Sequence, residues 1–335
     1  MKKLSGWQKA GLFAGAGCLT IVVLLVAGLS MAVFWARSTM AGRGDTPPAQ
    51  VDRTIPLSAQ TAEATPEATP KSPAGTAAER APGDGPSEVR LDLEEGSFTI
   101  EPGAPGSQLQ VSGTFSPSLY ELTEDHQAGA GGRQRATVRF RSTAPAWARM
   151  LSGIGSGSGD TRPRLTIRIP EGTPMDLSLR VAMGESRIDL GRLTVRDLDL
   201  ELAMGEHRLD FGAPLVEGVR RLQISNSMGN LRVTNLGNAR PQTVDSTGNM
   251  GQVTADLGGA WEAGSTTQLS FTQSMGELRL NVPADLHLET NVTSGTAAAA
   301  QSPTGGPEAA GPEAPVLRVR VSSSMGDARI NRYTR

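Results

Sequence analysis

The dipeptide Met-Gly, each time followed by a polar residue, recurs six times along the chain: Met183-Gly184-Glu185, Met204-Gly205-Glu206, Met228-Gly229-Asn230, Met250-Gly251-Gln252, Met275-Gly276-Glu277 and Met325-Gly326-Asp327. The starts fall 21, 24, 22, 25 and 50 residues apart. A period in the twenties is too short for an independent domain. It marks a stacked repeat, in which each unit buries its apolar face against its neighbours. The last interval is two periods, or one period with an insertion.

Aligned on Met, the copies change phase. Apolar residues occupy the sixth and fourth positions before it: Leu177 and Leu179, Leu198 and Leu200, Leu222 and Ile224, Leu269 and Phe271, Val319 and Val321. Beyond the Gly the apolar positions are the fifth after Met (Ile188, Leu209, Val233, Leu280, Ile330) and the third (Leu231, Val253, Leu278). Strand side chains alternate between faces, so one residue of slip must be absorbed in each copy. Glycine enters bulge and left-handed conformations at little cost and is the natural place for it. Each Met-Gly therefore reads as a corner between two short strands. Gly184, Gly205, Gly229, Gly276 and Gly326 take the slip, and Met183, Met204, Met228, Met275 and Met325 turn into the core. Val89, Leu91, Leu93, Glu95-Gly96, Phe98 and Ile100 keep the same spacing, so the fold starts near residue 88. The copy at Met250 is diluted by Ser246 and Gly248, and Thr247-Gly248-Asn249 offers a rival register.

Before the repeats, period-2 alternation marks further strands at Leu109 to Val111, Ala136 to Phe140 and Leu165 to Ile169. Gly- and Pro-rich segments at 142–164, containing Ser152 to Gly159, and at 293–315 read as loops.

The outward positions two and four after Met form a second regularity. The first holds Glu185, Glu206, Asn230, Gln252, Glu277 and Asp327; the second holds Arg187, Arg208, Arg232, Thr254, Arg279 and Arg329. Strands stack ~4.8 Å apart, so the rungs line these residues up as adjacent acidic and basic columns. One reading is a solvated sheet face of weak, mutually compensating ion pairs. The other is a binding strip made by Glu185, Arg187, Glu206, Arg208, Arg232, Glu277, Arg279, Asp327 and Arg329 for anionic glycan or lipid headgroups, or for Ca²⁺ along its carboxylates.

Residues 1–10 carry Lys2, Lys3 and Lys9, and the uncharged apolar stretch 11–36 follows. That stretch exceeds the ~20 residues of a spanning helix and outruns a signal-peptide core, which predicts one transmembrane helix. The lysines outweigh Arg37 and Arg43, placing the amino end in the cytoplasm and the rest outside. A cleaved signal is the competing reading, but the run ends in Phe34-Trp35 and not in a small-residue cleavage site. Cys18 precedes the most apolar segment, so a lipoprotein site does not fit. Residues 37–87, rich in Pro, Ala, Thr and Gly, read as a disordered linker that cannot bury enough apolar surface to offset its entropy; threonine glycosylation is the functional alternative there.

Charge and chemistry narrow the function. Thirty-two basic and 34 acidic residues are well mixed, which speaks against a nucleic-acid partner. The single cysteine excludes an intrachain disulfide. His126, His207 and His287 have no partner at ligand spacing, and His207, at an inward position, reads as a packed histidine. No phosphate loop, nucleophile elbow or metal motif is present, so neither a cofactor nor an enzymatic activity is expected. Aromatics make up 4% of the chain, so the core should consist of Leu, Val, Ile and Met.

The carboxyl third, from Leu269 through Met275-Gly276-Glu277-Leu278-Arg279-Leu280-Asn281-Val282-Pro283 to Val319-Arg320-Val321 and Met325-Gly326-Asp327-Ala328-Arg329-Ile330, resembles the carboxyl-terminal domain of the LiaF-like, or toast-rack, bacterial envelope proteins. The longer repeat from Leu165 is similar to the related family of adhesin-like single-chain β-solenoids. The resemblance implies a non-enzymatic β-solenoid linked in some relatives to envelope stress signalling. One anchor and a long linker, in place of a cluster of membrane spans, set this chain apart. The expectation is thus an all-β, single-chain, parallel-leaning β-solenoid over residues 88–332. It stands outside the cytoplasmic membrane as an interaction or sensing scaffold with an envelope protein or glycan partner. An adhesin or wall-binding module is the alternative, and a carbohydrate-active enzyme the more distant one.

Overall fold

The computed structural model describes residues 48–57, 86–128, 133–144, 162–294, 299–301 and 314–334. The expected cytoplasmic tail and transmembrane helix, most of the linker, and the centres of both loops lie outside these residues. Among the described residues no helix is long and apolar enough to cross a membrane.

The chain enters through β1 (Ala49–Ile55), β2 (Ser87–Pro102), β3 (Leu109–Phe115), β4 (Tyr120–Ala128), β5 (Gln134–Ser142) and β6 (Arg164–Ile169). It then repeats itself in β7 (Met175–Asp189), β8 (Val195–Asp210), β9 (Arg221–Thr234), β10 (Thr243–Asp256) and β11 (Thr266–Pro283). It closes with β12 (His287–Ser294), β13 (Ala299–Gln301) and β14 (Val316–Tyr333). β2 and the six Met-Gly strands stack in parallel in the order β2-β7-β8-β9-β10-β11-β14. Every Met pairs with the next Met and every Gly with the next Gly, and Glu95-Gly96 of β2 pairs with Met183-Gly184. The rung at Met250 takes the Met-Gly register and not its rival. The fifty-residue interval disappears in space: β14 inserts between β11 and β12, so Met325 sits beside Met275.

Each repeat strand is two arms joined at a bend. In β7, Leu177, Leu179 and Val181 of the first arm and Ser186 and Ile188 of the second are buried, so the inward phase inverts within the strand. Gly184, Gly205, Gly229, Gly251, Gly276 and Gly326 all have positive φ, between 116° and 145°. The expectation for the methionines is overturned. Met183, Met204, Met228, Met250, Met275 and Met325 are 38–59% exposed. Ladder pairing lapses one residue before each Met, at Ala182 and Ala203 for example, so the inversion falls there and not after the Met. Met then has the phase of the outward residues two and four places on, and Gly becomes the first inward position of the second arm. Met204→Ala should therefore cost about 1 kcal/mol or less, whereas Leu202→Ala, buried two residues earlier on the same strand, should cost about 2–5 kcal/mol. Equal losses in urea-denaturation midpoints would return Met to the core.

Both arms and the return segments feed one core cluster, with Leu190, Leu193, Phe211, Leu215, Val219, Leu236 and Leu257 supplied by the returns. Carboxylates six places after Met fasten these turns: Asp189 accepts the Gly191 and Gly212 amides, and Asp256 accepts that of Gly258. At the amino-terminal end the arms of β2 are extended separately. The first arm continues into β5 and β4, the second into β6, β3 and β1. Phe98, Phe115 and Tyr120 close this end around Phe140, with ring centroids 6.1, 5.2 and 5.3 Å from it. The scarce aromatics are concentrated where the stack has no further rung to cover it.

Two segments expected outside the fold belong to it. β1 lies within the span 37–87, paired antiparallel with β3, and Ile55 and Leu57 are buried. At the other end Tyr333, past the expected boundary at 332, bonds Asp256 through its hydroxyl at 2.8 Å, and the adjacent Arg332 donates to the carbonyls of Ala284 and Leu286.

Candidate functional site

The second arms carry the predicted strip. Glu185, Glu206, Asn230, Gln252, Glu277 and Asp327 align in one register, and Arg187, Arg208, Arg232, Thr254, Arg279 and Arg329 in the next. The alternation of the arm sets both on the outward face, while the residues between them fill the core. The compensation expected between the columns is confined to one end. Arg279 forms a two-point pair with Glu277 at 2.7 and 2.8 Å, and Arg329 approaches Asp327 at 3.3 Å and Glu277 at 3.8 Å. Arg187, Arg208 and Arg232 are exposed and make no ion pair among the described residues. The neutral Asn230, Gln252 and Thr254 lie beside Arg232, whereas Arg187 and Arg208 stand two places from Glu185 and Glu206 without pairing to them.

This face holds an open groove of about 610 Å³, lined by Arg208, Arg232, Arg279 and Arg329 with Glu206 as its single acidic side chain. Arg208 and Arg232, on adjacent strands, keep their planar forks open to carboxylate or phosphate oxygens, whereas those of Arg279 and Arg329 are engaged by Glu277 and Asp327. Among the described residues no group of three or more His, Cys, Asp or Glu is placed to hold a metal ion.

Inside the second arms lies a polar contact that sequence reasoning left unpaired. His207 is buried as expected, and its Nδ1 lies 2.9 Å from the Ser186 Oγ of the preceding rung. Burial lowers its pKa to about 4. The pair resembles a nucleophile and its base, but both side chains are buried and Nε2 has no hydrogen-bond partner among the described residues. A substrate could not reach it.

Sequence reasoning also missed the polar residues two places before Met. Asn226, Gln273 and Ser323 are buried and donate to corner carbonyls: Asn226 to Gly229, Gln273 to Met275 and Ser323 to Gly326. A Cβ on Gly248 would sit 1.8 Å from the Gln273 Oε1, so that glycine makes room for the neighbouring amide. Non-apolar residues at an inward phase, each two places before Met, were the available signal.

Geometry defines the class as a single-chain parallel β-solenoid with an in-register Met-Gly corner and a polar outward strip. Residues 83–233 match the N-terminal domain of toast_rack, DUF2154, which supports a toast-rack assignment for that segment. The match covers β2 to β9 and not the carboxyl third that carries the resemblance to the carboxyl-terminal LiaF-like domain. No curated protein matches the sequence. Among solved structures, the chain is similar to a candidate cell adhesion protein from Clostridium sporogenes, at 9% identity and a TM-score of 0.37 over 85% of this chain and 100% of that one. It is also similar to a candidate adhesin from Bacteroides fragilis, at 11% identity and a TM-score of 0.37 over 84% and 97%. A candidate lipid binding protein from Parabacteroides distasonis shares 12% identity at a TM-score of 0.32 over 86% and 98%.

Proposed function

We propose that this protein is a non-enzymatic interaction scaffold of the bacterial cell envelope, anchored by residues 11–36 with its amino end in the cytoplasm, whose arginine strip holds an anionic polymer of the wall or cell surface. The observation that carries the reading is the groove on this face, in which Arg208 and Arg232 make no ion pair among the described residues and Glu206 is the single acidic lining residue. A stacked sheet presents these groups at a fixed repeat, and a polymer with a periodic anion engages several at once without ordering the protein further. The accessible polar groups form columns and not the convergent constellation that bond cleavage requires.

Replacing Arg187, Arg208, Arg232 and Arg279 together by glutamine should lower retention on purified cell-wall material by about tenfold or more, since one charge-assisted hydrogen bond alone is worth about 1.5 kcal/mol. Raising salt should weaken the wild-type interaction in the same direction. Unchanged retention of the quadruple variant sinks the proposal, as does equal capture by vesicles of anionic lipid and by wall polymer.

A further inference from the structure

Met and Gly are the two residues identical in all six repeat copies; the positions around them vary among several side chains. The constancy of Gly has a steric cause, because a Cβ there would strike the carbonyl of the preceding rung. That of Met has none. The six side chains are 38–59% exposed, so core packing does not select them. An exposed strand position favours β-branched or aromatic residues, and a purely apolar contact would be served by Leu, Ile or Val in some copies. Six of the chain's 11 methionines stand in this one column. What they share, and other apolar residues lack, is the thioether.

The register places the thioethers at a metal-binding interval. Met183, Met204, Met228, Met250, Met275 and Met325 are partners in consecutive parallel pairs with no rung between them. Parallel strands repeat at ~4.8 Å, and two metal–sulfur bonds of about 2.3 Å in line span about 4.6 Å. Adjacent rungs can therefore hold one ion between two sulfurs without moving the backbone, and the three rotors of Met take up the small difference. Thioether ligands select soft ions such as Cu(I) over Zn²⁺, Ca²⁺ or Mg²⁺. Beside the ladder, on the same outward face, run Glu185 and Glu206, which make no ion pair among the described residues and offset the cation's charge.

We propose that the methionine ladder is a binding track for soft monovalent metal ions, Cu(I) and its redox-inert analogue Ag(I), each held between thioethers of adjacent rungs. Six thioethers taken two at a time hold up to three ions. The track is separate from the arginine strip, and the quadruple arginine variant leaves it intact.

The test is a chloride-free titration of the full-length chain with silver nitrate, read by calorimetry and by the methionine methyl NMR signals. Wild type should bind two to three equivalents, with methyl shifts confined to the six ladder residues. Adjacency supplies the decisive contrast between two triple variants that retain equal numbers of thioethers. Replacing Met204, Met250 and Met325 by Leu leaves no two methionines adjacent and should cut affinity about tenfold or more, as loss of one of two soft ligands requires. Replacing Met250, Met275 and Met325 leaves Met183, Met204 and Met228 contiguous and should retain one tight equivalent. Leu keeps apolar bulk at these half-exposed sites, and an unchanged circular dichroism spectrum verifies the fold. Equal binding by the two variants, or wild-type binding of Zn²⁺ as tight as that of Ag(I), overturns the proposal.

Discussion

Gly205→Ala should destabilise the solenoid by about 4 kcal/mol, the sum of two separable costs. The first is conformational: Gly205 has φ 139°, a region open essentially to glycine alone, and forcing another residue into it costs about 1–3 kcal/mol. The second is steric. A Cβ on Gly205 would lie 1.7 Å from the carbonyl oxygen of Gly184, which is backbone and cannot rotate away. Relief requires the two rungs to separate at the corner, and overpacking of this kind costs about 1–3 kcal/mol. Gly172→Ala separates the two effects. Gly172 has φ 81° with nothing within 4 Å of a built Cβ, so alanine there should cost about 1–2 kcal/mol. Urea midpoints of the two variants check the ranking, and equal midpoints would show that the stacked carbonyl does not set the glycine requirement. Because stability in a stacked array is roughly a sum of nearest-neighbour interfaces, the loss at Gly205 should be matched at Gly229 and Gly276, whose Cβ positions meet the preceding carbonyl at 2.1 and 1.9 Å.

The same glycines explain how far the fold could be read from the chain. The spacing of the Met-Gly copies, the inversion of apolar phase across them and the degenerate copy at Glu95-Gly96 were all legible, because a stacked repeat imposes one register on residues far apart in sequence. The side chosen by Met was not. Met shares the parity of the apolar residues six and four places before it, which suggested burial, but the phase inverts one residue earlier, at Ala182 and its equivalents, where no residue type advertises it. β4 was invisible for a different reason: Glu121, Thr123, Glu124 and Gln127 are exposed, and its antiparallel partner β5 supplies the order. β1 offers little more than Val51, Ile55 and Leu57 in a Pro- and Thr-rich surrounding. The insertion of β14 between β11 and β12 is a matter of topology that no local pattern encodes. Of the candidate strip, the columns were legible in full, but the confinement of ion pairing to Glu277, Arg279, Asp327 and Arg329 depends on which rungs carry neutral residues and how their neighbours reach across.

The Ser186–His207 pair predicts a loss of stability toward acid. Phe98, Leu231, Val253, Leu278 and Ala328 occupy the same inward column, so an ionised imidazole there would face apolar neighbours, and burial lowers the His207 pKa to about 4 against an ordinary value of 6.5. Above pH 6.5 the imidazole is neutral in both folded and unfolded chains and contributes no pH dependence. Between 6.5 and 4 the unfolded chain binds the proton and the folded chain resists it, so stability falls with falling pH. Below about 4 both forms are protonated and the contribution is flat. A shift of this size amounts to about 3 kcal/mol lost between pH 7 and pH 4. The Ser186→Ala, His207→Leu double variant makes the column apolar throughout without stranding the serine hydroxyl. Its stability, measured by urea denaturation at pH 7, 5.5 and 4, should lack this component, so that the difference from wild type grows in the variant's favour by about 3 kcal/mol across the range. Glu124 and Asp176 titrate in the opposite sense, their carboxyls raised chiefly by burial, and the subtraction removes them because both are common to the two proteins. A difference that stays constant with pH would mean that His207 takes up its proton as readily in the folded chain as in the unfolded one, and with it that water reaches the interior of the rung.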